Sequence, residues 1–213
     1  MQKAVDLIYD YLDEAAMIIY EELHIDYLQC LIRVADDITK GINESSLSEV
    51  SLEKLQKIYQ DFSNQSFINE EIRLAIELLI VKAFKHKGEY SLDLMTPDAV
   101  SYIFAYIINI LGDNNITILD IAIGTGNLIN AISNFINFEA NLVGIDKDAT
   151  LCELARVSSD LQNNSITIYC NDFRDKIFEA CDVIVGDLDG EVIEDEYLLY
   201  KVITKYCDNL NDD

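Results

Sequence analysis

The sequence predicts an α/β protein: a parallel sheet of about four strands preceded by an all-helical N-terminal domain. Three observations lead to this. Up to about residue 88, apolar side chains recur at helical spacing with no strand signal. From residue 116, short Ile- and Val-rich runs alternate with helical segments, as in a parallel sheet covered on both faces. The first of those runs leads into a glycine bend. The expected division is a helical domain, 1–90, and an α/β domain, 91–213.

In the first helix the apolar face is read as Val5, Leu7, Ile8, Tyr11, Leu12, Ala15, Ala16 and Ile19. A second helix is expected from Asp26 to Lys40, stopped by Gly41. A third starts near Ser46-Leu47-Ser48-Glu49, read as a capping box, and reaches Phe62. A fourth runs from Ile68 to Lys87 and stops at Gly88. Four helices with short links suggest a bundle. Pro97 is the single proline; Thr96 is expected to cap the next helix, with Pro97 in its first turn. Val100, Ile103, Phe104, Ile107 and Ile108 form that helix's apolar pattern up to Gly112. Strands are expected at 116–121, 141–145, 166–170 and 182–185, and helices at 127–137, 149–162 and 195–209.

Half of the 213 residues are hydrophobic, enough for a sizeable core. No apolar run reaches the ~18 residues of a membrane-spanning helix, and the acidic start lacks a secretory signal's basic region. The five cysteines are scattered, and the two histidines lie near no cysteine pair. We therefore expect reduced thiols, no metal site and a cytoplasmic location. The net charge of −24 disfavours a nucleic-acid partner, because duplex affinity comes largely from cations neutralising phosphates. Lys82, Lys85, His86 and Lys87 form the one weak basic cluster, read chiefly as the cationic last turn of a helix.

Ligands of parallel sheets bind outside the carboxyl ends of the strands, so the residues after each strand carry the chemistry. The first strand leads into Asp120-Ile121-Ala122-Ile123-Gly124-Thr125-Gly126-Asn127. Two glycines let the backbone pass close to a ligand beside a helix N-terminus. A carboxylate at Asp120 suits an ammonium group and not a pyrophosphate. Ile129, where a dinucleotide fingerprint has its third glycine, also argues against a nicotinamide oxidoreductase. The second strand ends in Asp146-Lys147-Asp148, where a carboxylate can accept both hydroxyls of a ribose. The third ends in Cys170-Asn171-Asp172-Phe173, where an acid and a ring can meet an adenine. The fourth ends in Gly186-Asp187-Leu188-Asp189-Gly190. Taken singly, the tips at Asp146 and Asp172 can equally be ordinary acidic turns, and the glycine turn at Asp120 less readily so; four acidic tips in succession are far harder to reach by chance.

These residues resemble the class I S-adenosylmethionine (SAM)-dependent methyltransferases, and within them the adenine-specific DNA methyltransferases of the type I restriction-modification subunit kind. The resemblance covers roughly residues 90 to 190. That family's Asp-Pro-Ala-Cys-Gly-Thr-Gly-Asn run is matched at Asp120, Ala122, Gly124, Thr125, Gly126 and Asn127, with Ile121 and Ile123 departing from it. Thr96-Pro97 match its Thr-Pro element. The resemblance implies a Rossmann-like sheet and SAM as cofactor. The implied cofactor residues are Thr96, Asp120, Ala122, Gly124, Gly126, Asn127, Asp146, Lys147, Asp172 and Phe173. The catalytic residue it implies is Asp187, accepting from the target amine.

Leu188, Asp189 and Gly190 stand where the family has Pro-Pro-aromatic. The expected function is methyl transfer of the N6-adenine DNA type. The alternative is a catalytically degenerate SAM-binding or protein-interaction module. The implied fold has seven strands and four are read here, so the chain is expected to be a fragment or a short relative. A homodimer, or a core patched by the helical domain, is expected to cover the exposed edge.

Overall fold

The computed structural model describes residues 2–88, 95–174, 181–188, 196–207 and 210. The chain divides into two compact units, one mainly 1–91 and the other mainly 92–213.

The first unit is helical: α1 Gln2–Leu23, α2 Tyr27–Lys40, α3 Glu49–Ser63 and α4 Asn69–Lys87. Helix α1 packs on the other three. It buries Val5, Ile8, Leu12, Ala15, Ala16 and Ile19, one stripe at three and four spacing. Leu7 falls off that stripe and is exposed, against expectation. The start of α3 also differs. Its cap is Ser48, whose Oγ accepts from the Ser51 N–H at 3.3 Å, while Ser46 takes a left-handed φ of 71° in the preceding turn. Helix α4 ends as expected at Gly88, with φ 66° in the left-handed region. Arg73 of α4 is buried, held by Glu70 at 2.6 Å and Glu77 at 3.3 Å.

The second unit runs α5 Asp98–Leu111, β1 Thr117–Asp120, α6 Asn127–Phe135, β2 Asn141–Asp146, α7 Ala149–Leu161, β3 Ile166–Cys170, β4 Val183–Val185 and α8 Glu196–Cys207. The four strands pair in parallel in the order β3-β2-β1-β4. Strand β1 has a neighbour on each side, and its residues alternate between two cores. Ile118 points into a core with Leu128, Ile129, Ile132 and Leu142, and Leu119 into one with Ile121, Ile145 and Cys181. In α5 the buried face is Ser101, Ala105 and Ile108; of the apolar residues expected there, Ile108 is buried and Phe104 packs beside it. Small residues four apart allow close packing on α6, while Val100, Ile103 and Ile107 are exposed. The residue capping α5 is Pro97, with no side-chain hydrogen bond, so Thr96 is not the cap.

Candidate functional site

The strand order brings the carboxyl ends of β2, β1 and β4 side by side, with β3 beyond β2. Asp146 therefore flanks Asp120 on one side and Asp187 on the other, and Asp172 follows the outer strand. Asp146 and Asp187 both add electrostatic pressure to Asp120. Three carboxylates thus converge on one end of the sheet.

Beyond β1 the chain is stapled to both neighbours. The Ile121 N–H donates to the Val185 carbonyl at 3.0 Å, and the Ile123 N–H to the Ile145 carbonyl at 2.9 Å. The chain then turns through Gly124 and Gly126, with φ of 54° and 81°. Both lie in the left-handed region, where a side chain costs strain. Gly126 is also short of space: a Cβ there would lie 3.1 Å from Ala155 and from Asn130 Nδ2. Asn127 and Thr96, both expected at the cofactor site, are both buried, and Asn127 Nδ2 donates to the Thr96 carbonyl at 3.0 Å. Ala122 is half-buried at the head of the loop, and Lys147 is exposed.

Asp120 is wholly buried. Its Oδ1 accepts the Ala122 N–H at 3.1 Å, and its Oδ2 has no partner. Burial, reinforced by Asp146 and Asp187 and opposed by the Ala122 hydrogen bond, pushes its pKa up to about 7. An unpartnered buried carboxylate oxygen is costly to keep and marks a place that a cationic donor can fill. Asp146 accepts the Gly124 N–H at 3.0 Å on Oδ2 and the Asp148 N–H at 2.8 Å on Oδ1. Its pKa is also raised, chiefly by burial.

Asp172 is in a different state. Arg174 grips it through Nε at 2.8 Å and 3.0 Å and through Nη2. That pairing holds its pKa down to about 2. Phe173 packs against the core of Leu119, Ile121 and Ile145. Asp187 is exposed, and Leu188 after it joins the same core. Asp189 and Gly190 lie outside the described residues.

Sequence reasoning missed the supports of the loop. Ile123 lies over Gly144 of β2, where a Cβ would sit 2.2 Å from Ile123 Cδ1 and 3.0 Å from its Cβ. Ile121 lies over Gly186, where a Cβ would sit 2.8 Å from Ile121 Cγ1. A glycine inside an apolar strand is the signal for such close approach. Asn130, completely buried, donates through Nδ2 to the Gly126 carbonyl at 2.9 Å and to Ser159 Oγ at 3.0 Å. It fixes the second turn of the loop from beneath. Among the described residues, no group of three or more His, Cys, Asp or Glu could hold a metal ion, and no helix is long and apolar enough to cross a membrane.

Comparison with known proteins bears on both units. Residues 6–84 match the family described as the YtxK N-terminal helical domain. Protein YtxK of Bacillus subtilis (strain 168) is 28% identical over 195 residues, covering 88% of this chain. The chain spans 59% of that relative's length. A Listeria monocytogenes protein, provisionally classed as a class I SAM-dependent methyltransferase, superposes with a TM-score of 0.78 at 27% identity, over 99% of this chain and 71% of its own. A methyltransferase subunit of a Streptococcus thermophilus type I restriction-modification system shares the fold alone, with a TM-score of 0.51 at 11% identity over 98% of this chain and 73% of its own. The fold is thus an α/β Rossmann-like one behind a helical N-terminal region.

Proposed function

We propose that this chain carries the SAM-binding part of a class I methyltransferase. The observation that supports this best is the orphaned Oδ2 of Asp120, buried between Asp146 and Asp187 beside a glycine loop. SAM brings an ammonium and a sulfonium to one end and two ribose hydroxyls to the middle, and this donor set fits those needs. Asp120 would take the ammonium through Oδ2 while Ala122 holds Oδ1. Gly124 and Gly126 would let the backbone lie against the methionine portion. Asp146 would exchange its Gly124 contact for the ribose hydroxyls. Asn127 and Thr96 hold the loop's far side together, and exposed Lys147 flanks the ribose acid. Asp172 and Phe173 would meet the adenine, with Asp172 first yielding its Arg174 partner. The bound cofactor supplies an activated methyl group, and Asp187, exposed at the mouth, would accept from the amine that receives it. Positioning carries most of the rate in such a transfer.

The finer reading, an N6-adenine DNA methyltransferase, rests on the Asp120-to-Asn127 motif. A second reading, a SAM-binding or protein-interaction module without turnover, is favoured by Leu188 and the net charge. Leu188 points into the core instead of offering a ring to stack on a base, a contact worth roughly 1–3 kcal/mol. The charge of −24 opposes phosphate binding.

Calorimetry with SAM tests the cofactor reading. Charge-assisted hydrogen bonds of about 1.5–3 kcal/mol make Asp146→Ala weaken binding by roughly 10- to 100-fold. Absence of SAM binding by the parent chain would refute the proposal. Methyl transfer from labelled SAM to DNA then supports the enzyme, and binding without transfer supports the module.

A further inference from the structure

Two cysteines outside the proposed cofactor contacts lie against consecutive peptides after β2. Cys152, in the first turn of α7, donates through Sγ to the Asp146 carbonyl at 3.3 Å. Cys170, the last residue of β3, donates through Sγ to the Lys147 carbonyl at 4.0 Å. Cys170 is also the register partner of Asp146 across the β2–β3 pair. The two thiols are close enough for Cys170 to add to the upward shift of the Cys152 pKa. Their accessibilities are opposite: Cys170 is exposed and Cys152 is buried. The remaining cysteines are Cys30, Cys181 and Cys207. Cys30 is on α2, Cys181 precedes β4 and Cys207 ends α8.

We infer that Cys152 and Cys170 form a peroxide-responsive dithiol that closes to a disulfide across the tips of β2 and β3. The chemistry assigns one step to each thiol. Cys170, the exposed partner, attacks one oxygen of hydrogen peroxide as its thiolate. The O–O bond breaks, Cys170 becomes a sulfenic acid, and the departing hydroxide is protonated to water. The Cys152 sulfur then attacks the Cys170 sulfur. The S–S bond forms as the S–OH bond breaks, and the leaving hydroxide carries away the Cys152 proton as water. Two thiols lose two electrons in all, and one peroxide becomes two waters. Burial, with the neighbouring Cys170 adding to it, pushes the Cys152 thiol up to about 12, so it remains protonated and leaves the first step to Cys170.

Closing the bond removes the thiol donors from the Asp146 and Lys147 carbonyls. It also ties the start of α7 to the end of β3. On the SAM reading, which this consequence alone rests on, those peptides border the ribose acid. Oxidation is then expected to weaken SAM binding by about tenfold, reversibly with dithiothreitol.

The sequence makes the bond easy to find. Trypsin places Cys152 in peptide 148–156 and Cys170 in the adjacent peptide 157–174. The reduced full-length chain is treated with one equivalent of hydrogen peroxide, blocked with N-ethylmaleimide, and measured by mass spectrometry before and after digestion. The expected result is a fall from five adducts to three, and a linked 148–156/157–174 pair that reduction separates. Cys152→Ser and Cys170→Ser each abolish the linked pair, and Cys207→Ser leaves it intact. Retention of five adducts, sulfinic acid at Cys170 without a linked pair, or a linkage that survives Cys152→Ser would overturn the inference. These readouts need no SAM, so failure of the reduced chain to bind SAM counts against the cofactor reading alone. A linked pair with unchanged SAM affinity removes the coupling to the pocket.

Discussion

Replacing Asp120 by asparagine should make the free protein more stable while removing its hold on a cation. Burial raises the Asp120 pKa from an ordinary 3.8 to about 7, so the folded state binds this proton more tightly than the unfolded chain does. The contribution of this group to stability is therefore greatest below pH 3.8 and is lost as pH rises to about 7, at about 1.4 kcal/mol per pH unit. Above that range the ionised side chain costs about 4 kcal/mol. Asparagine keeps the acceptor facing the Ala122 N–H and carries no charge to bury. In the ligand-free chain, Asp120→Asn should gain about 4 kcal/mol at pH 8 and roughly 1–2 kcal/mol at pH 5. For a chain of 213 residues that is roughly 8–16 °C in the pH 8 unfolding transition. Thermal unfolding followed by circular dichroism at both pH values measures it. A variant less stable than the parent at pH 8, or a difference independent of pH, would refute the reasoning.

Three further outcomes follow from the packing. Gly144→Ala should lose about 1–3 kcal/mol, because its Cβ meets Ile123 down to the Ile123 Cβ; denaturant unfolding should show Ile123→Ala recovering part of that loss in the double variant. Asn127→Ala, which leaves the buried Thr96 carbonyl without this donor, should cost about 1–3 kcal/mol and raise amide exchange around Gly124 to Gly126; unchanged exchange there would count against the clasp. Glu70→Ala leaves the buried Arg73 guanidinium without its nearest carboxylate, and about 3–5 kcal/mol should be lost from the helical unit in urea unfolding.

The parallel sheet and its acidic tips were legible because period and position carry them. Continuous Ile and Val runs require two covered faces, and a parallel sheet puts ligands at strand ends. Helix ends at Gly41 and Gly88 were legible because glycine tolerates backbone that other residues resist. What failed were questions of facing and pairing. The α5 pattern is apolar nearly all round, so hydrophobicity did not distinguish the packed face of Ser101, Ala105 and Ile108 from the exposed one of Val100, Ile103 and Ile107. The Ser46 box failed because several polar residues in a row can each cap, and tertiary placement chose Ser48. Asp172 matched by position, but its engagement by Arg174 two residues on depends on a turn that linear spacing does not show. The fit of Ile123 to Gly144 and Ile121 to Gly186 joins positions far apart in the chain, and only the strand order brings them together.

Proton release on SAM binding reports whether Asp120 receives the cofactor's ammonium. If the Asp120 carboxyl, half-protonated near pH 7, ionises to receive an ammonium, binding at pH 6.5 must expel most of one proton. Calorimetry in buffers of different ionisation enthalpy reads that number. The expected release is about three-quarters of a proton at pH 6.5, declining toward none as pH rises above 8, and absent from Asp120→Asn. Tight SAM binding with no proton released at pH 6.5, or with the same release in Asp120→Asn, would contradict it.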